Sequence, residues 1–344
     1  MEIEGYRLHR WGDAPRWEAF SLPDPARGEV LIEVEACGVG LTVMNCMNGA
    51  LSDSPDLLPV TPGHEVVGRV TAVGEGVDTR AIGDRVIAYF YLSCFQCRWC
   101  LRGRESRCAN LSGWYGVHRG GGYAPFSVLP EGNTVALSEG IPAAQATVIP
   151  DAVATPVHVC KTRLGLGPGD RVAVIGAGGG VGIHMVQVAA ACGASVIGLE
   201  RGDEKIALVE SFGATAEDSS DFESVALSDF DGRADAIIDL VGTRESLAWS
   251  TSRVATGGRV CLLTTFRGVE VPVASRELVF REASILGSRY ASRSELLDAT
   301  EMVERGEVRP VVGMSTGPRE VEAIHELLRA GRLEGRGALV WDSR

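Results

Sequence analysis

The run Val172-Ala173-Val174-Ile175-Gly176-Ala177-Gly178-Gly179-Gly180-Val181-Gly182 limits the possible folds of this chain more than any other stretch. A short apolar strand, Arg171–Ile175, turns directly into glycines, and a helix is predicted from about Val181 to Cys192. Glycine lets the backbone turn tightly and approach a pyrophosphate. The helix that follows offers free N–H groups and a partial positive charge at its start. The next strand, Ser195–Leu199, leads into Glu200, 24 positions after Gly176. A carboxylate there accepts hydrogen bonds from the hydroxyls of an adenosine ribose and repels a 2′-phosphate. The pattern favours NAD(H). Arg201, next to Glu200, is placed to pair with a 2′-phosphate, which keeps NADP(H) open.

Strands and helices alternate beyond this point. A helix is expected over Asp203–Phe212, stopped by Gly213, with further apolar strands at Ala236–Val241, Arg259–Thr264 and Ser284–Gly287. Alternation of this kind implies a parallel, doubly wound α/β sheet covered on both faces. The first 148 residues read differently. Glu29–Glu35, Gly68–Val73 and Asp84–Phe90 alternate polar and apolar residues as half-buried strands do, with glycine turns between them. Another strand region runs from Gly120 to near Ser138. A length of 344 residues accommodates two domains. Two helical stretches, Ser294–Arg305 and Arg319–Ala330, and a last strand, Gly337–Trp341, are read as returning to the first domain. The expected boundaries are 1–149 with 289–344 for a β-rich domain, and 150–288 for the dinucleotide-binding one.

Cys94, Cys97, Cys100 and Cys108 lie within fifteen residues. Four thiolates in one loop close a tetrahedral shell around zinc and leave no open position for a substrate, so the site is structural. Nine cysteines, an odd number, and an N-terminal run without a basic-then-apolar pattern argue against disulfides and for a reducing, cytoplasmic setting. Net charge is −12 with no basic stripe, which gives nucleic-acid binding no support. The longest apolar runs are strand-length, so no membrane span is expected.

A third motif, Pro62-Gly63-His64-Glu65-Val66-Val67-Gly68, joins the zinc loop and the glycine turn. With Ala36-Cys37-Gly38-Val39, Gly83-Asp84-Arg85-Val86 and Ser292-Arg293, these make the chain resemble the medium-chain dehydrogenase/reductase superfamily, zinc alcohol dehydrogenase type, over nearly its full length. The resemblance implies a GroES-like β domain and a Rossmann domain with the active site in the cleft between them. It also implies a small-molecule substrate and a homodimer or homotetramer. By the same analogy Arg293 contacts the cofactor pyrophosphate and Val241 runs beside the nicotinamide. The glycines Gly176, Gly178, Gly179, Gly180 and Gly182 with Val181 form the pyrophosphate turn.

The family carries a second, catalytic zinc. Two of its ligand positions fall on His64 and Asp151, and Glu65 serves as an alternating ligand or braces one. The first ligand, a cysteine, falls on Gly40. The family's aspartate and relay histidine fall on Val43 and Asn45, and only the hydroxyl, Thr42, remains. Cys37 occupies a position that is not a ligand in the family, and Cys46 is a buried thiol of ordinary kind. The resemblance therefore implies hydride transfer between a nicotinamide and an alcohol or carbonyl at an incomplete or remodelled metal site, with Thr42, His64, Glu65, Asp151 and Asn45 as its candidate residues. Two alternatives stand beside it. One is a reductase of an activated C=C or iminium without catalytic zinc. The other is a dinucleotide-binding protein without catalysis.

Overall fold

The computed structural model describes residues 1–264, 270 and 273–341. Residues 265–269, 271–272 and 342–344, which fall in the expected dinucleotide-binding segment and the tail, lie outside the described residues. The chain opens with an antiparallel hairpin, β1 (Glu2–Arg7) and β2 (Arg16–Ser21), held by an edge-on contact of Tyr6 with Trp17 at 5.1 Å between ring centroids. The sequence reading missed this hairpin because no residue of β2 is buried and its Arg-Trp-Glu-Ala-Phe-Ser run breaks polar–apolar alternation at Phe20. β3 (Glu29–Val39) is the central strand of the first sheet. It runs four residues past the expected end at Glu35. Ala36-Cys37-Gly38-Val39 is buried on both faces and shows no alternation to read. A short helix, α1 (Leu41–Met47), follows Gly40 directly.

β4 (Glu65–Val73) pairs antiparallel with β3 and begins three residues before the expected Gly68. β5 (Arg85–Ala88), β6 (Phe126–Pro130) and β7 (Thr134–Ala136) complete this part of the sheet. β6 pairs with the first half of β3, while β5 lies between β4 and β7. A one-turn helix, α2 (Ala143–Ala146), leads to a segment that winds wide. π-Helical turns over Ile149–Val153 and His158–Arg163 flank α3 (Ala154–Val157). Pro156 has no N–H to bond the carbonyl four residues back, so the winding cannot close as a regular α-helix there.

The second sheet is parallel throughout. Its strands are β8 (Arg171–Ile175), β9 (Ser195–Glu200), β10 (Thr215–Asp218), β11 (Ala234–Asp239), β12 (Val254–Leu262) and β13 (Ser284–Gly287), in spatial order β10-β9-β8-β11-β12-β13. The doubly wound sheet expected from the alternation is present. Its helices are α4 (Gly182–Ala191), α5 (Asp203–Glu210), α6 (Arg244–Arg253) and α7 (Ser275–Arg281). β11 ends at Asp239, two residues short of the expectation. The Asp239 carboxylate accepts the N–H groups of Val241 and Gly242 and turns the chain away.

After β13 the chain forms α8 (Arg293–Glu304), β14 (Val312–Thr316), α9 (Val321–Arg329) and β15 (Arg336–Val340). β15 pairs antiparallel with β3, Gly337 opposite Val39, so the last strand joins the first sheet. The molecule divides into two compact units. One comprises Met1–Asp151, Ala291–Glu304 and Pro310–Arg344, and the other Ala152–Tyr290 with Arg305–Arg309. The first is packed around Val30, Ile32, Val66, Tyr115, Tyr123 and Ile324, the second around Ile175, Ile197, Leu199, Ile237 and Val260. No helix among the described residues is long and apolar enough to cross a membrane.

Candidate functional site

Two groups of donors able to hold a metal stand out among the described residues. The first is Cys94, Cys97, Cys100 and Cys108. Sulfur–sulfur distances are 3.5 Å for Cys97–Cys100, 3.5 Å for Cys94–Cys108 and 4.0 Å for Cys94–Cys100. A zinc–sulfur bond of about 2.3 Å in a tetrahedron separates sulfurs by about 3.8 Å, so this spacing is that of a filled shell. Backbone hydrogen bonds from Cys100 and Ala109 pull the Cys97 thiol down to about 6, while burial pushes Cys100 and Cys108 up. A dication that binds only thiolates overrides that spread. The residues fit a structural zinc.

The glycine turn sits between β8 and α4. Gly176 takes φ +81°, where a side chain is strained, and a Cβ on Gly182 would run into the Gly176 carbonyl. Glycine is therefore needed for the loop to fold back against the start of α4. Glu200, buried at the end of β9, accepts the Gly178 N–H at 2.8 Å and the Arg201 N–H at 2.9 Å. Its carboxylate is thus fixed against the loop, as a ribose-binding acid must be. Arg201 is exposed beside it, its Nε reaching only the Ser219 carbonyl at 3.4 Å. These residues fit a dinucleotide. His184, on α4, is buried with Nδ1 2.7 Å from the Gly180 carbonyl, so it braces the loop from behind. Asp239 also accepts the Ser246 hydroxyl at 2.7 Å, and it holds the turn that carries Val241.

Arg293 opens α8. Its guanidinium lies over the Phe95 ring of the cysteine loop at 5.3 Å and reaches the Thr134 carbonyl at 3.4 Å, and its backbone N–H donates to Glu105. The zinc loop and this arginine are therefore packed together within one unit.

The second group is His64, Glu65 and Asp151. His64 closes the loop before β4, Glu65 starts that strand, and Asp151 sits on the first π-wound turn. All three are buried. Thr42, in the first turn of α1, donates from Oγ1 to Asp151 Oδ2 at 3.2 Å. His64 Nε2 is 3.7 Å from the same oxygen, too far for a hydrogen bond, and is a buried nitrogen without a hydrogen-bond partner. Asn45 is exposed one turn further along α1 and stands outside this group. Cys46 is buried on α1, its thiol pushed up to about 12 by burial and then by the charge of Asp151. Neither Cys46 nor Cys37 is among the clustered donors.

The sequence reading missed the residue at the centre of this group. Arg336, the first residue of β15, is 3% exposed. Its Nη2 lies 2.8 Å from Asp151 Oδ2 and 3.0 Å from Glu65 Oε1. The contact with Asp151 is a hydrogen bond, whereas that with Glu65 is an ion pair without hydrogen-bond alignment. Burial pushes Glu65 up to about 7 against the pull of Arg336. Arg336 itself is held above its ordinary value, because the two carboxylates outweigh its burial. No short motif marks this arginine. It is brought in by the register of β15 on β3.

This arrangement does not fit a catalytic zinc. The clustered donors include no thiol, only one imidazole and two carboxylates. Both lone pairs of Asp151 Oδ2 are already engaged, by Thr42 and by Arg336. A metal bound through that oxygen would have to displace one of them, and it would sit beside a buried cation.

Comparison with known proteins bears on this site. The family described as "Alcohol dehydrogenase GroES-like domain" matches residues 26–139, and that described as "Zinc-binding dehydrogenase" matches residues 180–305. An alcohol dehydrogenase of Geobacillus stearothermophilus is 31% identical over 318 residues, covering 91% of this chain and 92% of the relative. An acryloyl-coenzyme A reductase of Metallosphaera sedula is 30% identical over 312 residues, covering 89% and 90%. The crystal structure of an NAD-dependent alcohol dehydrogenase superposes with a TM-score of 0.89 at 29% identity, over 98% of this chain and 99% of that one.

Proposed function

The chain belongs to the zinc-type alcohol dehydrogenase family of medium-chain dehydrogenases, and we propose that it interconverts an alcohol and a carbonyl through the Thr42–Asp151 pair. It is an alcohol dehydrogenase-like oxidoreductase that works with a nicotinamide cofactor. The observation that carries the proposal is the Thr42 hydroxyl donating to Asp151 Oδ2 beside the unpartnered Nε2 of His64. A hydroxyl that donates to a carboxylate turns a lone pair outward. An alcohol O–H can donate to it, and the alcohol proton then moves to Thr42 as the Thr42 proton moves to Asp151. A bound nicotinamide would supply the acceptor for the hydride lost from the carbinol carbon, which leaves a carbonyl and the reduced cofactor. His64 Nε2 offers the substrate oxygen a hydrogen bond that it makes with nothing else. Glu65 acts through Arg336 and needs no contact with substrate.

Thr42→Val keeps the shape and removes the hydroxyl. We expect kcat for alcohol oxidation to fall about 100-fold or more with cofactor affinity unchanged. An unaltered kcat would remove Thr42 from the reaction.

A second reading is favoured by Gly40 and by the acryloyl-coenzyme A reductase relative. Without a metal to polarise a carbonyl, hydride addition to an activated C=C becomes competitive. Incubation of an enone with the enzyme and deuterated NADH separates the two. Deuterium on a carbinol carbon supports the alcohol reading, and deuterium on a saturated β-carbon supports the second.

Glu200 favours NAD(H) over NADP(H), and Glu200→Ala should relax that preference; an unchanged ratio of cofactor affinities overturns it. Gly176, Gly178, Gly179, Gly180, Val181, Gly182 and Arg293 are assigned to the pyrophosphate and Val241 to the nicotinamide. The structural zinc belongs to the four cysteines, one per chain, and a reducing cytoplasm would keep those thiols free for it. The assembly is assigned as a homodimer or homotetramer, which sedimentation velocity resolves.

A further inference from the structure

Gly40 links β3 to α1 with φ −141° and ψ −177°. This is extended backbone that any residue adopts, so the turn does not ask for glycine. Space does. A Cβ built on Gly40 would overlap the guanidinium of Arg336, Nη1 first. The sheet explains why the two meet. Gly337 stands opposite Val39 in the antiparallel pair, which sets the preceding Arg336 against the following Gly40. The guanidinium then reaches Asp151 and Glu65 from the side where the family's cysteine would stand.

We propose that Arg336 has taken the place of the second zinc: a guanidinium held in the His64–Glu65–Asp151 cluster is its resident cation, and Gly40 is the opening that admits it. Arg336 is a positioning residue. It fixes Asp151 Oδ2 where Thr42 can donate to it and offsets one of two buried carboxylates, which an unpaired interior does not tolerate. The cluster needs no metal ligand at position 40, and a thiol there would compete with the arginine for the same volume.

This inference deepens the functional reading of the same centre, but its first test requires no turnover. Purified full-length protein, dialysed against excess zinc and then against buffer, is analysed for zinc per chain. The expected count is one for the wild type, one for His64→Ala and none for Cys97→Ser. Two zincs in the wild type, falling to one in His64→Ala, overturn the proposal even if every alcohol is turned over. The second test reads the positioning role. Arg336→Ala should lower kcat about 100-fold, and added guanidinium ion at millimolar concentration should restore about tenfold without zinc uptake. Arg336→Lys, which keeps a charge but not the planar fork, should lie between. A loss that guanidinium does not relieve means that Arg336 only supports the fold. Should Arg336→Ala not fold, the zinc counts of the wild type and His64→Ala still decide.

Discussion

Gly40 and Arg336 behave as one residue divided between two places in the chain. Neither is explained by its own neighbourhood: an extended glycine has no backbone reason to be glycine, and a buried arginine beside two buried carboxylates is costly unless its geometry is held. Their dependence can be read from stability alone. Gly40→Ala leaves the backbone unstrained but forces the guanidinium off its partners, and we expect a loss of about 3 kcal/mol in urea unfolding. A loss below about 0.5 kcal/mol, the range of ordinary surface changes, would mean that the arginine moves aside freely. Gly40 could be singled out in the sequence because it directly follows a recognisable Cys-Gly-Val motif. The side chain that fills the space beside it could not, because Arg336 lies 296 positions away and only strand register brings it to the site. The same holds for Asp151, whose motif position was readable while its hydrogen bond with Thr42 was not. Asn45 shows the converse, since a sequence position next to the site proved to be an exposed one on α1.

At the scale of elements, local pattern served well wherever one period held. β8 and β13 begin and end where their apolar runs do, and Gly213, with φ +80°, stands just beyond α5. Pattern failed for β1 and β2, for the short β10 and β14, and for the π-wound segment around Asp151, where proline disrupts any helical period. α9 carries a test of how one helix is docked. Its His325 is buried, with Nε2 3.0 Å from the Tyr123 hydroxyl and Nδ1 3.4 Å from Glu322. Burial holds its pKa below the ordinary 6.5, and Glu322 only partly opposes this. The imidazole is therefore neutral in the folded chain under conditions where the unfolded chain binds a proton. Stability is full above pH 6.5 and falls as the pH drops below that value, by up to about 1.4 kcal/mol per pH unit until the folded group also titrates. His325→Gln can keep a hydrogen bond to Tyr123 without titrating. Urea unfolding at pH 7.5 and 5.5 should show a fall for the wild type about 1 kcal/mol larger than for the variant. Equal falls would exclude His325 as the titrating group.

For the whole molecule, the governing fact is that the first unit is built from both ends of the chain. Deleting 310–344 removes β14, α9 and β15, and with them the partner of Ala36–Val39, the Tyr123–His325 bond and Arg336. The second unit keeps β8 to β13. We expect the shortened chain to retain the parallel sheet and lose the fixed packing of Tyr89, Tyr115 and Tyr123, which near-ultraviolet circular dichroism reports; a native-like spectrum would refute this. The same fact has a consequence for how the protein is made. Ala36 meets Val340, 304 positions later. A ribosome adding about 5–20 residues per second takes roughly 15–60 s to cover that distance. Throughout that interval the second half of β3 leaves the exit tunnel with one edge bare, while the strands of the second unit emerge in full and can pair. The part of the molecule that is begun first is finished last, and a nascent chain of this protein is most exposed to wrong partners at the edge that Arg336 will later close.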